Sequence, residues 1–206
     1  MGRTDWFWIR HAPVTSDGGR VYGAKDMPAD CSDAETFAWL SRLLPREAVW
    51  VTSALMRTRQ TVEAVIAAGY PANGPALVEP GLGEQHLGAM QGLVRHEAYA
   101  THSPGRHRLW LSGVDVPAPG GESFRDLIGR VTPVVERLTA AHAGRPIVCV
   151  AHGGSIRAAL TLAGVAPEAA LAMEIENLSV TRMSYLPPAG QWPAIWQVGF
   201  VNRLPR

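Results

Sequence analysis

Three short runs, Trp6–Ile9 ("WFWI"), Ala48–Thr52 ("AVWVT") and Ile147–Ala151 ("IVCVA"), are apolar at nearly every position. A strand with one wet face alternates, whereas a strand apolar throughout needs cover on both faces. Parallel sheets flanked by helices meet that need. Segments of helical period stand between these runs, so the order is strand, helix, strand. This predicts an α/β fold, a three-layer α/β/α sandwich around a mostly parallel sheet.

The helices carry their own punctuation. "SDAETFAWLSRLL" opens with Ser32 and Glu35 at capping-box spacing, shows Phe37, Leu40, Leu43 and Leu44 on one face, and stops at Pro45. "RTRQTVEAVIAAG" ends in Gly69, a C-terminal cap. In "SFRDLIGRVTPVVERLTAAHAG", Ser123 and Asp126 sit at capping spacing, and Pro133 marks a potential kink. "SIRAALTLAG" follows the third apolar run directly, and "SVTRMSY" (Ser179–Tyr185) and "IWQVGFV" (Ile195–Val201) read as further strands. Residues 88–121 are rich in Gly, Pro and His with weak periodicity, and read as an insertion over one end of the sheet. A chain of 206 residues without internal repeats is expected to form a single domain over 1–206.

Charge argues against bulk electrostatic partners. The formal net charge of +1 gives no basis for a nucleic-acid or membrane-surface partner. Of the 19 basic residues only Lys25 is a lysine, so a single arginine means little by itself. Cys31 and Cys149 are too few for a disulfide framework and form no CxxC pair, which suits reduced thiols in a cytoplasmic protein. No leader pattern opens the chain, and no apolar run reaches the length of a membrane span.

The three apolar strands end in reactive residues: Arg10-His11 after the first, Thr52-Ser53 with Arg57 one helical turn on, and His152-Gly153-Gly154-Ser155 after the third. Ligands of open parallel sheets sit at the carboxyl ends of the strands, so neighbouring strands would bring Arg10, His11, Arg57 and His152 into one crevice. Gly153 and Gly154 would let backbone N–H groups at a helix N-terminus approach an anion. Two arginines, two histidines and such a terminus suit a phosphate monoester, with a histidine able to attack phosphorus. The leaving oxygen needs a proton donor, and Glu84 in "GLGEQHLGAMQG" is the candidate. Taken singly, an Arg-His pair, an HGG or a loop glutamate is an ordinary surface feature. His86, His96, His102 and His107 match no strong metal-ligand spacing, so no metal site is expected. Glu122 either borders the pocket or only precedes the helix cap.

Five blocks, Arg10-His11, "SALMRTRQT", "EQHLGAMQG", "PGGES" and "AHGGSIR", together resemble the histidine phosphatase (phosphoglycerate-mutase-like) superfamily, in the family's order across most of the chain. "VYGAKDMPA" (Val21–Ala29) is similar to the segment following the motif in α-ribazole phosphatases, which suggests the phosphatase branch. The resemblance implies a phosphohistidine on His11, phosphate binding by Arg10, Arg57, His152 and Gly153, Glu84 as general acid/base, and no metal or other cofactor. Two positions depart from the pattern: Ala12 stands where glycine is usual, and Asp17 where asparagine is frequent. An inward-facing Asp17 would weaken phosphate binding. The expected activity is hydrolysis of a small phosphorylated metabolite. A cofactor-dependent phosphoglycerate-type mutase and a non-catalytic phosphate-binding module are the alternatives, and a homodimer stays open.

Overall fold

A computed structural model describes residues 2–71, 74–100 and 105–205. The described residues form a six-stranded sheet from β1 (Thr4–Arg10), β2 (Val49–Thr52), β3 (Leu77–Val78), β4 (Ile147–Ala151), β5 (Val180–Leu186) and β6 (Ile195–Arg203), in the order β3-β2-β4-β1-β5-β6. The first four are mutually parallel, and β5 runs antiparallel to both β1 and β6. The sheet is thus mixed and mostly parallel, with the three apolar runs at its centre.

Helices cover both faces. Phe37 and Leu40 of α1 (Ala34–Leu43) and Val62 and Val65 of α2 (Met56–Ala67) pack with Ile9, Trp50, Val148 and Val150. On the other face, Leu127, Val131 and Val135 of α4 (Phe124–Ala141) and Ile156 and Leu160 of α5 (Gly153–Leu160) pack with Trp6, Trp8, Val51 and Cys149. Alternate β1 residues therefore serve opposite cores, as the two-residue period of a strand requires. Trp6 and Trp8 are wholly buried and stack at 5.0 Å, and Trp6 Nε1 donates to Thr139 Oγ1 (2.9 Å). Each such ring removes about 150–250 Å² from water, roughly 4–6 kcal/mol of gross stabilisation.

Local chemistry sets the helix ends. The Ser123–Asp126 capping box forms as expected, and Pro133 lies inside α4 without dividing it. Gly69 adopts a left-handed φ of 102° just beyond α2. The start of α1 differs from expectation: Asp33, not Ser32, is the cap, its carboxylate accepting from Thr36 N–H (3.0 Å). Asp30 holds Ser32 N–H (3.0 Å) in the preceding turn, which moves the cap one residue on. Two short helices, α3 (Arg95–Ala100) and α6 (Pro167–Ala172), and the two-residue β3 were not evident in the sequence.

The 88–121 segment is pinched at its stem. Ala89 N–H donates to Pro119 C=O (2.8 Å) and Glu122 N–H to His86 C=O (2.9 Å). At Gly88, with φ of 49°, a Cβ would lie 2.0 Å from Pro119 O, so only glycine permits this approach. The segment has a small core of its own, in which Leu87, Met90, Ala98, Leu111 and Ala118 enclose Val21 from the loop after β1. Val21 and Gly92–Leu93 exchange backbone hydrogen bonds (2.7 and 2.9 Å), which ties the two loops together beside the sheet's carboxyl edge.

Candidate active site

The sheet register sets the two histidines side by side. Arg10 pairs with Ala151 across β1 and β4, and His11 N–H donates to Ala151 C=O (3.0 Å). His11 and His152 therefore leave adjacent strand ends together, with ring centroids 5.1 Å apart. The chain leaves β1 towards α1 on one face and β4 into α5 on the other, so a crevice opens between them.

A hydrogen bond to a carbonyl fixes the tautomer of His11, and a hydroxyl orients His152. His11 Nδ1 lies 2.7 Å from Ala12 C=O, which can only accept, so Nδ1 carries the proton and Nε2 the lone pair. His152 Nε2 lies 2.8 Å from Ser53 Oγ. Thr58 donates its hydroxyl proton to Leu55 C=O (2.8 Å), and Ser53 Oγ also lies 3.2 Å from Thr58 Oγ1, so the Ser53 hydroxyl can serve either neighbour. His152 Nδ1 is buried and has no hydrogen-bond partner among the described residues. Burial, reinforced by Arg57 and Arg10, holds His11 well below the usual imidazole range; burial, His11 and both arginines do the same for His152. Both rings are neutral at neutral pH.

Arg57 is fully buried, not the solvated first-turn residue that its position alone would allow. Its Nη1 and Nη2 donate to the carbonyls of Lys25 (2.7 Å) and Gly23 (2.9 Å), and Arg10 Nη1 donates to Ile175 C=O (2.7 Å). The Nε atoms of both arginines are buried without a partner among the described residues. Two guanidiniums with unsatisfied buried donors, beside an imidazole nitrogen that is also unpartnered among the described residues, make a cluster suited to an anion.

Glu84 joins this cluster from the loop before the insertion. Its carboxylate accepts from Gly154 N–H (3.1 Å to Oε1) and from Gln85 N–H (2.9 Å). The anion at the N-terminus of α5 is thus Glu84 itself, whereas sequence reasoning reserved that place for the ligand. A Cβ on Gly154 would stand 2.3 Å from Glu84 Oε1, so this glycine is what lets the carboxylate in. Arg130 of α4 holds the loop, donating to the carbonyls of Gly81 (2.9 Å), Gly83 (2.8 Å) and Glu84 (3.0 Å) while pairing with Glu122 (2.6 Å). Glu122 also accepts from His86 N–H (2.8 Å), so it stands behind the Glu84 loop as a brace.

Both departures from the family pattern have structural accounts. Ala12 is buried against the α1–α2 face, does not have a positive φ, and donates its N–H to Thr61 Oγ1 (2.9 Å), so a methyl group fits. Asp17 is turned away from the clamp, accepting from Gly19 N–H (2.9 Å) and pairing with Arg95. Among the described residues no group of three or more His, Cys, Asp or Glu is placed to hold a metal ion, and His102 lies outside them.

Ser53, Arg130, Arg157 and Asn177 were not assigned site roles from sequence. Asn177 Nδ2 donates to His11 C=O (2.7 Å). Arg157 stacks on Trp110 (4.7 Å to the ring centroid), and burial pushes its guanidinium down to about 10 against the pull of Glu84. Arg157 lay within the "AHGGSIR" block, so a signal was present; Arg130 and Asn177 depend on tertiary placement. Arg10 and Glu84 share a cavity of about 90 Å³ whose mouth is formed by Tyr22, Arg95, Tyr99 and Trp110. A larger cavity of about 510 Å³, with Ala24, Leu55, Pro80 and His86 on its walls, shares only Glu84 with it. Of the clamp, Arg10 lines the smaller one.

A parallel-sheet crevice with paired neutral histidines between arginines is the arrangement of one protein class. The chain belongs to the histidine phosphatase superfamily (branch 1), whose family model matches residues 6–194. It is 32% identical over 129 residues to a 2,3-bisphosphoglycerate-dependent phosphoglycerate mutase of Beijerinckia indica, covering 61% of this chain and 62% of that protein. The chain thus spans about six-tenths of the length of such mutase relatives. It is also 32% identical over 164 residues to a glucosyl-3-phosphoglycerate phosphatase of Mycolicibacterium vanbaalenii, covering 75% of this chain and 71% of the other. A solved mycobacterial glucosyl-3-phosphoglycerate phosphatase superposes with a TM-score of 0.77 at 26% identity, covering 97% of this chain and 99% of that one.

Proposed function

We propose that the chain is a metal-independent phosphomonoesterase acting through a phosphohistidine on His11. The observation that carries this reading is the His11 imidazole, neutral, with Nδ1 tied to Ala12 C=O (2.7 Å) and Nε2 free beside Arg10 and Arg57. In the first step Nε2 attacks phosphorus while the P–O bond to the alcohol breaks. Glu84, as the carboxylic acid, gives its proton to the leaving oxygen. Arg10, Arg57 and His152 Nδ1–H hold the three peripheral oxygens, supplying the charge neutralisation that a metal provides elsewhere. In the second step water attacks phosphorus, Glu84 takes its proton, and the P–N bond breaks to restore His11.

The test is rapid quenching with a phosphomonoester substrate. Acid-labile, alkali-stable phosphate should appear on the wild type and be absent from His11→Ala, whose turnover should fall by about 10⁴-fold or more. Full activity in that variant would sink the mechanism.

Likeness to phosphoglycerate mutases supports a second reading, in which the phosphoryl group returns to a bound intermediate. A mutase needs cationic groups over the pocket to retain a sugar acid. Here Arg95 is paired with Asp17, Arg106 donates to the carbonyls of Tyr99 and Trp110 (both 3.1 Å), and Arg108 is exposed. Hydrolysis is therefore the reading favoured. Incubation with 3-phosphoglycerate and catalytic 2,3-bisphosphoglycerate should yield no appreciable 2-phosphoglycerate; efficient isomerisation without phosphate release would reverse the assignment.

A further inference from the structure

The mouth of the reaction cavity carries a specificity device of its own. The cavity that Arg10 and Glu84 share has a volume of about 90 Å³. The alcohol portion of an ester whose phosphoryl group Arg10 holds would then meet Tyr22, Arg95, Tyr99 and Trp110, which line the same cavity. Tyr22 lies between two guanidiniums, 5.1 Å from Arg57 and 5.3 Å from Arg95. Trp110 is fixed by Arg157 beneath it (4.7 Å) and by its Nε1–H bond to Gln85 (2.5 Å). These rings are held at set positions and offer flat apolar surface.

Arg95 is the guanidinium that lines the mouth itself, and its side chain is about half exposed (48%). Left alone it would attract a second anionic group on the substrate. It is not left alone, because Asp17 pairs with it. Asp17 is itself nearly covered (12% exposed), and is held by Gly19 N–H (2.9 Å), while Arg95 N–H donates to Gly19 C=O (2.9 Å). Both members of the pair are thus built into the two loops that frame the mouth. Arg10 and Arg57, deeper in, are matched by the phosphoryl oxygens.

We infer that the Asp17–Arg95 pair makes the mouth select phosphomonoesters of uncharged alcohols, with a ring or other flat surface seated at Tyr22 and Trp110, and reject alcohols bearing a carboxylate or second phosphate. The inference rests on the phosphomonoesterase reading for its turnover arm and on binding alone for its second arm.

The test compares glycerol 3-phosphate with 3-phosphoglycerate, which differ in the charge of the alcohol portion, on the full chain and on Asp17→Asn. The wild type should favour glycerol 3-phosphate in kcat/KM by at least about tenfold. In Asp17→Asn that preference should shrink by about five- to tenfold, as expected for removing one charge several Å from the second anion at a wet rim. Arg95→Gln, which leaves Asp17 unpaired, should widen it. The same ligands are titrated calorimetrically into His11→Asn and His11→Asn/Asp17→Asn, where dissociation constants should show the same shift without turnover. If neither ester is hydrolysed but the binding preference follows Asp17, the activity reading fails and this inference stands. A wild-type preference near unity, or one that Asp17→Asn leaves unchanged in both measurements, would overturn it.

Discussion

In the proposed mechanism Glu84 gives a proton in one step and takes one in the next. Two backbone N–H groups, of Gln85 and Gly154, hold the carboxylate (2.9 and 3.1 Å). Glu84→Gln keeps an acceptor for these donors and removes only the transferable proton. Turnover of an alkyl phosphate should therefore drop by about 10²–10⁴-fold, while p-nitrophenyl phosphate, whose leaving group needs no proton, should lose less than about tenfold. Equal losses on both substrates, measured as kcat, would leave Glu84 with a structural role. At this scale the sequence was informative where chemistry follows a strand end, as with His11, His152 and Arg57. It was silent on Ser53 orienting His152 Nε2 and on Arg130 bracing three carbonyls, because neither contact is local.

Helix α5 is separated from β4 by His152 alone and has no side-chain cap on its first turn from its own N-cap residue. Glu84 supplies that acceptor from 70 positions away in the chain. Gly154→Ala adds a methyl group 2.3 Å from Glu84 Oε1 and 3.0 Å from Leu127 Cδ2. Alanine gains up to about 1 kcal/mol of helix propensity, which offsets part of the clash with Leu127. The expected outcome is a melting temperature within a few degrees of wild type alongside at least tenfold slower turnover of alkyl phosphates. Calorimetry and steady-state kinetics check the two halves, and unimpaired kcat would show that the carboxylate does not need this place. The apolar runs of β1 and β4, covered on both faces, and α4, whose Phe124, Leu127, Val131, Val135 and Leu138 repeat at helical spacing along one buried face, were legible for that reason. The two residues of β3 and six-residue α3 and α6 are too short for any period to register, and Asp33 took the α1 cap because Asp30 reshaped the turn before it.

Across the whole molecule, keeping two buried histidines neutral makes stability depend on pH. Their proton affinity in the folded chain lies below that of an unfolded imidazole, burial being the first cause for each. The unfolded chain therefore takes up these protons first as pH falls. Their full contribution is present above about pH 6.5 and drains away below it, by up to about 1.4 kcal/mol per pH unit for each ring. Urea midpoints measured from pH 7.5 to 5 in phosphate-free buffer should fall steeply below pH 6.5, and His11→Asn should flatten the slope; a flat wild-type profile would contradict neutral burial. The strand order β3-β2-β4-β1-β5-β6 has a different kind of consequence. β4 fits between β1 and β2, so the first two strands end up two strand spacings apart, roughly 9–10 Å, joined only through a strand made much later. Until residues 147–151 leave the ribosome neither β1 nor β2 has β4 to pair with, and His11 has no His152 beside it. Nascent chains should stay silent, and the first phosphate released would time the moment at which distant strands meet.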